Sequence, residues 1–175
     1  MSTIKKIGLI ALTCLLAATA FMNTGCRVQY KFSEGGSVPD SIKIVKVSYI
    51  ENKAPYTNPQ LSPQLTDKLR QKIVSQTRLK QTNGTDADWE ISGEIRDYSF
   101  STSGISQQKE STNRLTVSVH IVLNKLKEGT MEEFDISRNF DFSATLSIDQ
   151  AGNNLRDEMI RGLTDDIFNR IFSDW

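Results

Sequence analysis

Leu115-Thr116-Val117-Ser118-Val119-His120-Ile121-Val122-Leu123-Asn124 decides the architecture of this chain. Leu115, Val117, Val119, Ile121 and Leu123 take every second position, with Thr116, Ser118, His120 and Asn124 between them. Side chains alternate across a strand with a period of two, so such a strand buries one face and leaves the other wetter. The stretches on either side repeat the pattern. Trp89, Ile91 and Ile95 alternate with Glu90, Glu94 and Arg96. Phe134, Ile136, Phe140, Phe142 and Leu146 alternate largely with polar residues. Glu128-Gly129 predicts a hairpin between the later two strands. The connection between the earlier two, Ser101 to Asn113, is rich in Ser, Thr, Gln and Gly and predicts a long mobile loop.

Further out, the period changes. Ser41 to Ile50 is rich in β-branched residues and predicts a first strand with apolar side chains on both faces. Leu61, Leu65, Leu69 and Ile73 recur at four-residue spacing and predict an amphipathic helix. Ser62-Pro63 fits its N-cap and first helical residue, with an end near Gln76 or Thr77. A start at Asn58-Pro59 would place Pro63 inside the helix, which is disfavoured. Asn83-Gly84 marks a turn. Leu155, Met159, Ile160, Leu163, Ile167, Phe168, Ile171 and Phe172 form the apolar stripe of a second helix, opposite Asp157, Glu158, Asp165 and Asp166. The expected fold is α+β: a two-layer α/β sandwich with a four-stranded, mostly antiparallel or mixed sheet and two amphipathic helices on one face. Phe134, Phe140, Phe142, Phe168, Phe172 and Trp175 are expected mostly in its core.

The first residues carry a different signal. Lys5-Lys6 precede an apolar run from Ile7 to Met22, and Thr24-Gly25-Cys26 follow. A positive start, a short apolar run and small residues before a cut are the parts of an export signal. The run falls short of the roughly 20 residues that span a bilayer. Thr24-Gly25-Cys26 resembles the lipobox of bacterial lipoproteins, although Asn23 stands where an aliphatic residue is usual. Residues 1–25 are therefore expected to be a cleaved signal, Cys26 the lipidated N-terminus, residues 26–40 a tether and residues 41–175 a single domain. An uncleaved anchor helix and an ordinary exported thiol at Cys26 are the competing possibilities. Several acyl chains, at about 0.8 kcal/mol per buried methylene, would hold the protein firmly on a membrane. Arg27 follows Cys26, with no acidic run after it. In bacterial lipoproteins this resembles an outer-membrane destination on the periplasmic side.

Composition excludes several classes. The chain has 175 residues, 21 basic and 21 acidic side chains. Taking away Lys5 and Lys6 leaves a net charge of about −2, which points away from nucleic acid. Cys14 lies in the apolar run, so the mature chain would hold no disulfide, and a domain of this size can manage without one. Catalytic signals are sparse. His120 is the single histidine and sits mid-strand on the more polar side. No cysteine, histidine and carboxylate set has metal-ligand spacing. Asp165-Asp166 reads as a solvated helix flank. Gly35-Gly36 does not match a phosphate-binding loop, and no serine lies in Gly-x-Ser-x-Gly. No cofactor is expected beyond the covalent lipid on Cys26. The remaining candidates are cations near the strands, Arg78, Lys80, Arg96 and Arg114, because guanidinium and ammonium groups suit phosphate or carboxylate.

The mature pattern resembles a family, LptE, in its Bacteroidetes form. The likeness rests on Ser75-Gln76-Thr77-Arg78-Leu79, Gly93-Glu94-Ile95, Asn113-Arg114-Leu115-Thr116-Val117-Ser118-Val119 and Asp165-Asp166-Ile167-Phe168-Asn169-Arg170, in that order and spacing. The resemblance implies a non-enzymatic outer-membrane lipoprotein. It would plug and help assemble an LptD-type β-barrel and bind lipopolysaccharide on its way to the outer leaflet. It assigns no basic residue here to lipopolysaccharide, so Arg78, Lys80, Arg96 and Arg114 rest on charge and placement. The Ser101–Asn113 loop is expected to enter the barrel lumen. A generic lipoprotein scaffold of another envelope complex is the alternative function, and a small periplasmic hydrolase a third.

Overall fold

The computed structural model describes residues 38–56, 58–103 and 112–173. The expected signal, Cys26, most of the tether and Trp175 lie outside these residues. The elements are β1 (Ile44–Asn52), α1 (Leu61–Gln76), β2 (Lys80–Gln81), β3 (Trp89–Ser103), β4 (Thr112–Lys125), β5 (Thr130–Ser143) and α2 (Ile148–Phe172). The sheet order is β2-β1-β3-β4-β5, with β1 parallel to β2 and β3, and β3, β4 and β5 antiparallel. The expected mixed sheet is present, but it has five strands. β2 is two residues long, too short to show any periodicity.

One sheet face carries the core. Val45, Val47, Ile50, Ile91, Ile95, Leu115, Val117, Val119, Ile121 and Leu123 are buried against α1 (Leu61, Leu65, Leu69, Ile73) and α2 (Met159, Leu163, Ile167, Phe168). Each large apolar side chain taken from water contributes roughly 1.5–3 kcal/mol. Phe140, Phe142, Phe168 and Phe172 join this core, and Phe134 packs half-buried at its margin.

Two bulges keep the alternation in phase. On β3, Ile95 pairs with Val119 and Asp97 with Ser118, so Arg96 is an extra residue. Without it Tyr98 and Phe100 would face outward and Asp97 and Ser99 inward. A one-residue slip turns every later side chain to the other face, and a bulge reverses that slip. On β1, Ser48 and Tyr49 together oppose Ser92. The backbone groups freed there are met by α1. Thr66 Oγ1 accepts from the Ile50 N–H at 3.1 Å. Arg70 donates to the Val47 carbonyl from Nε at 3.2 Å and Nη2 at 2.8 Å.

Three boundaries differ from expectation. α1 starts at Leu61 with Gln60 as N-cap, so Pro63 is its third residue. The first four helical N–H groups have no intrahelical partner, so a proline there removes no bond. α2 starts at Ile148, well before the apolar stripe at Leu155. Ser147 caps it: the Gln150 N–H donates to Ser147 Oγ at 3.2 Å, and the Ser147 N–H to Gln150 Oε1 at 3.0 Å. Ala151 and Gly152 are buried in that first turn, too small to register as a stripe. Finally, Ser101–Ser103 and Thr112–Asn113 are paired strand, not loop. What remains of the expected loop, 104–111, lies outside the described residues.

Candidate functional site

The helices cover one face of the sheet, and the other face presents a layer of polar side chains. The register puts Glu94, His120 and Asp135 side by side across β3, β4 and β5. His120 Nδ1 lies 2.9 Å from Asp135 Oδ1. Arg96, two residues on from Glu94 and on the same face, lies 2.7 Å from Glu94 and 3.6 Å from Asp135. Lys53 reaches Glu94 at 2.9 Å. Toward one end, Lys46 meets Glu90 at 2.8 Å, and the Ser48 hydroxyl donates to the same carboxylate at 3.0 Å. Toward the other, Arg114 grips Asp141 with Nε at 2.7 Å and Nη2 at 3.1 Å. Opposite charges facing each other across strands stabilise the pairing modestly, and the layer is mostly polar, with Tyr49, Val122 and Met131 among its apolar members.

The charges shift one another. The Lys53 ammonium and the Arg96 guanidinium hold the Glu94 carboxyl down at about 2. The Arg114 guanidinium lowers Asp141, and Asp141 in turn raises Arg114. A second carboxylate sits at the sheet's end. Asp88 is 5 % exposed. It accepts from the Lys43 N–H at 2.7 Å and the Ile44 N–H at 2.9 Å, and Lys127 Nζ lies 2.7 Å away. The Lys127 ammonium and these N–H groups bring Asp88 to about 2. Lys127 also donates to the Ser41 carbonyl at 2.9 Å. Asp88 thus ties the start of β1 to the β4–β5 turn.

The four sequence-selected cations do not form one cluster. Arg78 and Lys80 lie together at the β2 edge, where the Lys80 N–H donates to the Lys43 carbonyl at 2.8 Å. Arg96 is midway along β3, and Arg114 is near the far end of β4. Lys125, at the other end of β4, is eleven steps along the strand from Arg114, a span of roughly 37 Å at 3.4 Å per residue. Three of the four are paired: Arg78 with the exposed Asp40 at 2.8 Å, Arg96 with Glu94, and Arg114 with Asp141. Lys80 is exposed and has no ion pair among the described residues. The β2 end also gathers Lys43, Lys46 and Lys127, which charge and placement in the sequence did not single out because they join this end only through the parallel β1–β2 pairing and the β4–β5 turn.

Asp165 and Asp166, expected as a solvated flank, are both paired. Lys72 reaches Asp165 from α1 at 2.6 Å, and Arg138 reaches Asp166 from β5 at 2.5 Å. Arg138 lies across Gly162, where any Cβ would collide with its guanidinium. These pairs fasten helix to helix and helix to sheet.

The LptE family profile, described as lipopolysaccharide-assembly, matches residues 42–171. No curated protein sequence matches the chain. Among solved structures, a minor lipoprotein from Acinetobacter baumannii is similar at 14 % identity, covering 75 % of this chain and 93 % of that one, with a TM-score of 0.49. The hypothetical protein CT253 from Chlamydia trachomatis is similar at 9 % identity, covering 73 % and 96 %, with a TM-score of 0.49. A putative neuraminyllactose-binding hemagglutinin homolog from Helicobacter pylori is similar at 12 % identity, covering 77 % and 87 %, with a TM-score of 0.48.

Proposed function

We propose, from the premise that this chain belongs to the LptE family of lipopolysaccharide-assembly lipoproteins, that it seats inside an LptD-type outer-membrane β-barrel and binds lipopolysaccharide there. The family is non-catalytic and belongs to the outer membrane. The family match over 42–171 carries the proposal, because it spans the whole sandwich from β1 into the last turn of α2. The paired polar face supports it physically. A surface of small hydroxyls and closed ion pairs suits the wet, polar interior of a large barrel better than a lipid or apolar partner.

Residues 1–25 act as the export signal, and the lipid on Cys26 tethers the domain on the periplasmic side. The segment from Ser101 to Asn113 enters the lumen. Lipopolysaccharide phosphates meet Arg78, Lys80, Arg96 and Arg114. These contacts are not equal. Arg78 and Lys80 are two residues apart at the β2 edge, and Lys80 has no ion pair among the described residues to give up. At Arg78 a phosphate has to displace the exposed Asp40, and at Arg96 and Arg114 it has to displace Glu94 or Asp141.

Lipopolysaccharide binding by the purified protein tests the assignment. Neutralising all four cations is expected to weaken binding at least tenfold, and the Arg78→Gln/Lys80→Gln pair alone to account for most of that. Unchanged affinity and normal lipopolysaccharide export in the quadruple variant would remove the assignment.

A further inference from the structure

β5 ends the sheet. Its outer side has no strand neighbour among the described residues, along all 14 positions from Thr130 to Ser143. Strands commonly run about 5–6 residues, so this is a long open edge. Every second residue there presents an N–H and a C=O that no ladder satisfies, a ready template for another strand. Folded proteins usually blunt such an edge by mixing charges along it. On β5 the charges that face the open side of the sheet are all acidic, and its one cation, Arg138, stands on the core side.

On the open side of the sheet, β5 carries the exposed Met131, then Glu133, Asp135 and Asp141 with Ser137 and Asn139 between, and no cation. His120, Arg96 and Arg114 approach these carboxylates from the inner strands. The acidic side chains nonetheless stay 52 %, 63 % and 50 % exposed, respectively. On the core side, Phe134 and Ile136 are only half-buried, flanked in the same row by Glu132 and by Arg138, which is held by Asp166, and Arg170 lies 5.7 Å over the Phe134 ring. An added strand would therefore meet acid on one of its faces and, on the other, the half-buried Phe134 and Ile136 between Glu132 and Arg138.

We propose that the β5 edge is a docking site for an extended segment of a partner protein that adds as a sixth strand, its side chains alternating basic and apolar. Backbone bonds supply affinity in this mode, and the alternate side chains supply selectivity. One-sign charge also selects the occupant. It disfavours a second β5 edge, because pairing two copies would gather Glu133, Asp135 and Asp141 of each, while Arg96 and Arg114 are already engaged on the inner strands. It attracts a strand with lysine or arginine at every second position. The inference stands on the sheet edge and holds whichever ligand the rest of the molecule binds.

Two seven-residue peptides, one alternating Lys and Val and one alternating Glu and Val, test it on the isotope-labelled full-length protein. The Lys/Val peptide is expected to slow amide exchange in Thr130–Ser143 by roughly tenfold or more while leaving β2 unchanged. The Glu/Val peptide should have no effect. In the Glu133→Lys/Asp135→Lys variant the preference should reverse. No protection of β5, or equal protection by both peptides, would overturn the proposal. So would a β5 edge already protected in a dimer seen by sedimentation, which would make a second copy the occupant. Should the double variant fail to fold, the two peptides on the unaltered protein still decide.

Discussion

Thr66→Val removes one oxygen from the middle of the molecule and nearly nothing else. Thr66 is 1 % exposed, and its hydroxyl accepts from the Ile50 N–H and donates to the Ser62 carbonyl at 2.8 Å. Valine keeps the shape and leaves the Ile50 N–H facing a methyl group in a buried place. A buried donor left without a partner costs about 1–3 kcal/mol. The Ser62 carbonyl loses a local bond but keeps its helical one. We therefore expect a loss of about 2 kcal/mol. Thr66→Ser keeps the hydroxyl and gives up one methyl, a loss of about 1 kcal/mol. Urea titration followed by circular dichroism separates the two, with the slope unchanged if the unfolded state is unaltered. Native-state hydrogen exchange adds a local readout, since the Ile50 amide should exchange faster in the valine variant. If Thr66→Val is as stable as Thr66→Ser, or the Ile50 amide stays equally protected, α1 does not complete the β1 bulge.

Other expectations follow from the same geometry. In Gly93→Ala the new Cβ would lie 2.6 Å from the His120 carbonyl oxygen, so β3 and β4 must part; a loss of about 2 kcal/mol or more in thermal or urea unfolding is expected. Asp88→Asn should cost about 2–3 kcal/mol at neutral pH, because charge-assisted bonds to two N–H groups and to Lys127 are weakened together; an unfolding midpoint within error of the parent would contradict this. Acid should act through Asp88 and Glu94, both held at about 2 when folded and rising to about 3.9 and 4.3 when unfolded. A depressed carboxylate contributes stability above its unfolded value and loses it as pH falls through the folded one. The urea midpoint should therefore drop steadily from pH 5 to pH 2, and more gently in Asp88→Asn.

The period-two and four-residue patterns were enough to place every long element, because burial of one face forces them directly. Beyond them, legibility fell away where tertiary contacts decide. β2 exists only because Leu79 is buried and the Lys80 N–H meets Lys43. The start of α2 rests on Ser147 and Gln150, a capping box visible in the sequence but overlooked because the turn behind it buries Ala151 and Gly152. The two bulges left a trace, a phase change between Ile95 and Tyr98 and between Val47 and Ile50, which only register makes intelligible. For the site, the sequence marked cations but not their partners. Asp40 and Asp141 come from distant parts of the chain, while Glu94 stands two residues from Arg96 on β3; three of the four candidate cations are thus already paired, and the lysine at the β2 edge stands out only in the fold.

Co-purification from detergent-solubilised outer membrane tests the central claim most directly. With an affinity tag on the C-terminus, a large β-barrel of the LptD type is predicted to come down in equal amount with the protein, carrying lipopolysaccharide. Recovery of the lipidated protein alone, or with a different envelope complex and no barrel, would contradict it.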